Sequence, residues 1–182
     1  MIPKNAKCVF TGRLFKVYQW EQKLYNGNYA TFEGIRKRGS VQIIATVGNK
    51  IMLYREEQPM AGKFISFPGG VIDDGETPLH ASKRELLEET GMKAMKIKLW
   101  RKAQLSSKIE WPTFYYVMQN CKKITERHLD GGEKINPFLV SFEEFIEFTS
   151  KEDFRNKEFA NHMFRMKTDK KKLDEFRKFI FS

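Results

Sequence analysis

Short runs in which apolar and polar residues alternate open the chain, and such alternation marks half-buried β-strands. Val17 Tyr18 Gln19 Trp20 and Tyr29 Ala30 Thr31 Phe32 flank Asn26 Gly27, a pair suited to a tight hairpin turn, and so predict a small antiparallel N-terminal sheet. Val41 to Val47 and Ile51 to Tyr54, joined across Gly48 Asn49, predict a second hairpin that opens the main domain. Irregular backbone follows at Gly62 and at Phe67 Pro68 Gly69 Gly70, then a turn at Asp73 Asp74 Gly75. Thr77 Pro78 reads as an N-cap with proline at the first helical position, and Gly91 as a left-handed terminator, so a helix is expected from Pro78 to about Thr90. The surroundings of Trp100 and the segment Thr113 to Met118 predict further, well-buried strands. Ser141 with Glu144 forms a capping-box pattern, and Ser150 with Asp153 predicts the same start for another helix. A last helix is expected from Asp169, with Leu173, Phe176 and Ile180 on one face and Lys170, Lys171, Lys172 and Lys178 elsewhere.

Composition narrows what this chain can be. At 182 residues and 41% hydrophobic content it can build one ordinary core, which excludes disorder as its overall state. Lys and Arg number 33 against 23 Asp and Glu, a net charge of +10, which favours an anionic substrate, nucleic acid or an acidic surface as partner. Cys8 and Cys121 are the only cysteines, too few for a disulfide framework or a multi-cysteine zinc site, and they fit a reduced, cytoplasmic compartment. Apolar runs such as Ile43 to Val47 are far below the ~20 residues that span a bilayer, and Met1 to Asn5 lacks a secretory apolar core. A soluble, unexported protein with no membrane partner is the expectation.

The stretch from Gly70 to Met92 carries the chemistry. On the expected helix Glu85 and Glu88 are separated by three residues and Glu85 and Glu89 by four, so their carboxylates share a face. Like charges so placed cost a few tenths of a kcal/mol per pair when solvated, and more when buried, unless a counter-charge joins them. Oxygen-only donors suit a hard divalent ion, Mg²⁺ with Mn²⁺ as a substitute, whose remaining ligands would be water and substrate phosphate oxygens. Arg84 can hold one of these glutamates through a bidentate pair, and Glu76 can meet Arg84 or the metal region.

The same stretch resembles the Nudix box: a glycine, five residues, a glutamate, seven residues, then Arg-Glu-apolar-any-Glu-Glu-any-Gly-apolar. Gly70, Glu76, Arg84, Glu85, Leu86, Glu88, Glu89, Gly91 and Met92 fill every specified position. A weaker likeness runs from Phe32 to about Phe148. The resemblance implies an α/β fold, the Nudix-like α/β/α sandwich around a mixed β-sheet, here with an N-terminal antiparallel β extension and C-terminal helices. The expected layout is a hairpin extension at 1–38, a Nudix hydrolase domain at 39–150 and a helical extension at 151–182.

It also implies divalent-metal-dependent hydrolysis of a nucleoside diphosphate linked to another group. Carried onto this chain, Glu85, Glu88, Glu89 and the Gly69 carbonyl become metal ligands. Arg84, Glu85 and Glu89 become catalytic residues, and Gly70, Glu76 and Gly91 shape the motif. The general base is either Glu85 or Glu133, the latter on a glycine-flanked loop resembling that of ADP-ribose pyrophosphatases. Several segments resemble the ADP-ribose and nucleotide-sugar branch, in which the N-terminal sheet exchanges across a homodimer. By that likeness Trp20 and Phe32 are candidates for base binding, and Arg36, Arg38 and Arg55 for phosphate binding. Two positions depart from the branch: Ser66 stands before Phe67 Pro68 where a glutamate is usual, and Glu56 Glu57 Gln58 stand where an arginine is usual. ADP-ribose is the preferred substrate, yielding AMP and ribose 5-phosphate. Other nucleotide sugars or dinucleotides, triphosphorylated RNA ends tracked by the lysines between Lys167 and Lys178, and a non-catalytic nucleotide-sugar sensor are the alternatives.

Overall fold

The computed structural model of the chain describes residues 1–104, 106–129, 132 and 134–182. Three N-terminal strands, β1 (Lys7–Thr11), β2 (Phe15–Lys23) and β3 (Tyr29–Lys37), form an antiparallel meander. The Asn26–Gly27 turn sets its β2–β3 register, which pairs Trp20 with Phe32.

The central sheet begins with β4 (Ser40–Val47) and β5 (Lys50–Gln58), the second expected hairpin, followed by β6 (Gly62–Ser66) along β5. After the helix α1 (Pro78–Thr90) come β7 (Met92–Lys93), β8 (Lys96–Gln104), β9 (Ile109–Glu110), β10 (Pro112–Gln119), β11 (Lys122–Lys123) and β12 (Lys134–Val140). Its strand order is β12-β5-β4-β10-β8, with β4 and β10 parallel and their other neighbours antiparallel. β9 joins the N-terminal sheet in parallel to β3, which couples that sheet to the segment entering β10.

Side chains on β4 and β10 alternate between two faces, as the period-two pattern requires. Ile43, Ala45 and Met118 pack toward Leu86 of α1, whereas Ile44, Tyr115 and Val117 pack toward the helices α2 (Phe142–Phe148), α3 (Lys157–Lys167) and α4 (Lys170–Phe181). The result is helix, mixed sheet, helix. Phe154, Phe159, Met163, Met166, Phe176 and Ile180 all lie in the central core, so the 151–182 segment is part of the same packed body as the sheet. At the end of α4, the Gln119 side-chain amide donates to the carbonyls of Phe179 and Ile180 at 3.0 and 2.8 Å, satisfying groups a helix end leaves open.

The capping box at Ser141 and Glu144 is formed in both directions. The helix expected to start at Ser150 instead starts at Lys157. The reason lies in the edge of β6: Ile65 donates to the Asp153 carbonyl and Arg155 donates to the Ile65 carbonyl, both at 2.8 Å. Those bonds pin Phe154 beside β6 as a bridge and turn its ring into the core, overriding the local capping signal. Among the described residues no helix is long and apolar enough to cross a membrane.

Phe159 is fully buried, with its ring 4.8 Å from Phe67, 5.5 Å from Trp100 and 5.8 Å from Phe145, centroid to centroid. Phe159→Ala is expected to cost about 3–5 kcal/mol through lost transfer energy and the cavity left behind. Urea unfolding of parent and variant measures it.

Candidate active site

Two local stops fix α1 in register with the loop before it. The Thr77 hydroxyl accepts from the His80 amide at 3.2 Å, and Pro78 occupies the first turn. At the other end Gly91 adopts φ 68° and its amide returns to the Leu87 carbonyl at 2.8 Å. A Cβ at Gly91 would also collide with the Thr125 carbonyl. The 67–72 loop is stitched to β4: Val41 donates to the Gly70 carbonyl at 2.9 Å and Ile43 to the Pro68 carbonyl at 2.8 Å. Of these three successive carbonyls, Gly69's is the one β4 does not take. Gly69 itself has φ 142°, and a side chain there would strike the Val41 carbonyl.

These constraints bring the motif carboxylates to one cleft of about 690 Å³. Glu89 is 7% exposed and accepts a hydrogen bond from the Gly69 amide at 2.9 Å. The Glu85 carboxylate lies over Gly70, where any Cβ would collide with it. Arg84 gathers the rest. Its Nε and Nη2 donate to Glu76 at 3.1 and 3.0 Å as a bidentate fork, its Nη1 to Glu85 at 2.9 Å and Glu88 at 3.0 Å, and its Nη2 also to the Val71 carbonyl at 3.1 Å. Glu76 therefore meets Arg84. The hydrogen-bonded Glu76 carboxylate, then the charge of Glu85 and the bonds to Glu88 and Glu85, hold the guanidinium firmly protonated. Conversely, the bond from Arg84, with the Asp73 amide behind it, holds Glu76 below the usual carboxylate range. Beneath the cluster the Tyr54 phenol is pushed well above its usual range, first by burial and then by the Glu89 carboxylate.

The donor set is entirely oxygen, which fits a hard divalent ion, and the glycine cradle leaves room for Glu85 where a side chain would displace it. Among the described residues no three acidic, imidazole or thiol side chains form a ready-made cage. Arg84 serves as the counter-charge for Glu85 and Glu88 in this arrangement.

The structure separates the other expected residues from this cleft. Trp20 and Phe32 face each other across β2 and β3, 6.2 Å between ring centroids, in the N-terminal sheet. Arg36 pairs with Glu110 at 2.5 Å and lies over the Tyr18 ring, while Arg38 pairs with Asp73 at 3.0 Å. Arg55 stacks on Phe138, 4.0 Å from its centroid, beside a separate recess that also includes Lys63 and Lys134. Glu133 lies outside the described residues.

Residues that the sequence did not assign to a site complete the cleft. Lys37, Trp111 and Arg155 line it, and so do Gln42, Gln58 and Asn156. The two positions that departed from the branch pattern meet there as well: the Ser66 hydroxyl donates to Glu56, which also accepts from Gln58 at 2.9 Å. A carboxylate thus reaches the Ser66 position from the neighbouring strand.

The model of the NUDIX domain matches residues 36–163. The ADP-ribose pyrophosphatase of Bacillus subtilis (strain 168) is 31% identical over 91 residues, 49% of each chain, so the chain spans about half the length of that relative. The ADP compounds hydrolase NudE of Escherichia coli (strain K12) is 30% identical over 135 residues, covering 71% of this chain and 70% of its own. A solved structure described as an ADP compounds hydrolase superposes with a TM-score of 0.74 at 22% identity, over 91% of both chains, and so shares the fold.

Because Arg84 depresses the folded-state pKa of Glu76, this carboxylate contributes stability that is present above its unfolded value of 4.5 and is lost as pH falls through the lower folded value. Glu76→Gln should therefore be less stable than the parent near neutral pH, with the gap narrowing under acid conditions. Urea midpoints across a pH series test this, and a gap that widens on acidification would contradict it.

Proposed function

The chain belongs to the NUDIX family, and from that premise we propose that it hydrolyses the pyrophosphate bond of a nucleoside diphosphate joined to a second group, with ADP-ribose as its preferred substrate. The observation that carries this reading is the gathering of Glu85, Glu88 and Glu89 around Arg84 and the Gly69 amide inside one cleft. The names of the two sequence relatives support the choice of an ADP compound.

In the reaction a water oxygen bonds to one phosphorus while the bridging P–O bond breaks, and the water's proton passes to a glutamate. The products from ADP-ribose are AMP and ribose 5-phosphate. Glu85, Glu88, Glu89 and the Gly69 carbonyl would hold Mg²⁺, or Mn²⁺ in its place, which when bound supplies charge neutralisation at the phosphoryl oxygens. Arg84 orients Glu85 and Glu88 and supplies their counter-charge, and the Gly69 amide orients Glu89. The proton acceptor is Glu85 or Glu133. Both cysteines are free, which fits a reducing, cytoplasmic setting.

A homodimer is part of the same proposal. The N-terminal sheet leaves Val9, Phe10, Phe15 and Tyr29 exposed, and a second copy laid on it would cover them and carry Trp20 and Phe32 to its neighbour's substrate.

Incubation with ADP-ribose and Mg²⁺ should yield AMP and ribose 5-phosphate, and Glu89→Gln should lower the rate by about 10²–10³-fold with the fold intact. A folded Glu89→Gln chain of near-normal rate would sink the reading. In the same series, a Glu133→Gln chain that loses rate with unchanged substrate affinity assigns the base to Glu133, and an unchanged rate assigns it to Glu85. Sedimentation should show a dimer that Phe10→Asp converts to monomer; a parent chain that sediments as a monomer removes the dimer from the proposal.

A further inference from the structure

The lining of the cleft also carries cations. Lys37 ends β3 with its ammonium 4.1 Å from the centroid of the Trp111 ring, and Arg155 lies on the segment leading into α3. Burial lowers the Lys37 pKa, and the charges of Arg155 and then Arg38 lower it further. Arg38 has Asp73 as a partner. Among the described residues neither Lys37 nor Arg155 enters an ion pair; Arg155 donates only to the neutral Gln58 amide, at 2.9 Å, and lies over the Phe64 ring. Two cations thus line one cleft without a direct carboxylate partner, Glu56 being linked to Arg155 only through the Gln58 amide and Glu158 being held by Arg101, an arrangement that an anion would relieve.

Two neighbouring groups add donors. The Trp111 indole N–H is buried and without a hydrogen-bond partner among the described residues. The first turn of α3 has no side-chain cap, and since the Lys157 amide donates to the Arg155 carbonyl at 2.9 Å, the Glu158 and Phe159 amides are its uncapped donors. Glu158, the acidic residue of that turn, is held by Arg101 at 2.8 Å.

We propose that Lys37 and Arg155, with the Trp111 N–H and the open start of α3, form an anion subsite for the phosphoryl group of the substrate that water does not attack. The subsite rests on the proposed pyrophosphate chemistry for its ligand, and on the charge and geometry of this wall for its location. A pyrophosphate would then bridge the cleft, one phosphorus at the glutamate wall and the other at the cationic wall. Arg155 forks suit phosphate oxygens, and the ring face of Trp111 fixes where the Lys37 ammonium stands.

Inorganic pyrophosphate titrated calorimetrically into the full chain in EDTA reads this wall alone, since no metal then bridges the ligand to the glutamates. The parent chain should bind it. Lys37→Met and Arg155→Met should each weaken binding at least about tenfold, Lys37→Arg should restore most of it, and Glu89→Gln should leave it no weaker. A parent chain that does not bind, or folded Lys37→Met and Arg155→Met chains that bind as the parent does, overturns the subsite; so does weakening by Glu89→Gln. Arg155 is exposed and outside the core, so its variant stays informative where Lys37→Met fails to fold. Turnover of ADP-ribose by the parent is scored separately: pyrophosphate binding without turnover overturns the proposed reaction and leaves the subsite standing.

Discussion

Arg84 is the charge on which the acidic side of the molecule depends. It meets Glu76 through a two-point fork and reaches Glu85 and Glu88 with its remaining nitrogen, while Glu89 stands next to them nearly buried. Carboxylates so close would otherwise raise one another's pKa until some took up protons. A single planar guanidinium can satisfy three of them because its donors diverge in fixed directions, which a lysine in the same place would not reproduce. The pairing also couples helix to loop: Arg84 belongs to α1, Glu76 and Val71 to the segment that carries Gly69 and Gly70. The same guanidinium thus holds the loop against the helix.

The loop is anchored from the other side by aromatic packing. Phe67, 2% exposed, precedes Pro68 and Gly69 and makes close ring contacts with Tyr115, Phe145, Phe154 and Phe159. Two of those partners come from beyond residue 150, so the C-terminal segment supports the placement of the Gly69 amide against Glu89. The same segment supplies Arg155 and the start of α3 to the cleft. Its contribution is thus both packing and charge, which explains why the β6 edge pins Phe154 at the expense of an earlier helix start.

What could be read from the sequence follows from how local each determinant is. Thr77, Pro78 and Gly91 act within a turn of their own positions, so the limits of α1 and the shared face of its glutamates were legible. Gly48 Asn49 and Asn26 Gly27 announced their hairpins for the same reason. The cationic wall was not legible, because Lys37, Trp111 and Arg155 are far apart in the chain and meet only after β3, β10 and α3 have been arranged. Around Lys37 the difference is one residue: Arg36 and Arg38, the cations that attracted notice, are paired with Glu110 and Asp73, whereas Lys37 lines the cleft without an ion-pair partner among the described residues. Ser66 and Glu56 looked like separate departures from a pattern until the pairing of β5 with β6 joined them.

The net charge of +10 takes on a different meaning once it is distributed. Lys170, Lys171 and Lys172 lie on the exposed side of α4, whose apolar residues Phe176 and Ile180 are in the core, and their field reaches the cleft only through screening solvent. Close to the reaction, sign matters more than sum. Glu85, Glu88 and Glu89 repel a polyanion, and Lys37 and Arg155 attract one. A pyrophosphate has two phosphoryl groups, and on the proposed reading they would meet unlike groups in this cleft: cationic side chains at one end, and carboxylates that would need a cation at the other. On the proposed subsite, Lys37 and Arg155 would hold one phosphoryl group without metal, while Glu85, Glu88 and Glu89 would hold the cation that neutralises charge at the other. Overall basicity assists encounter, while the asymmetry of the two walls supplies orientation.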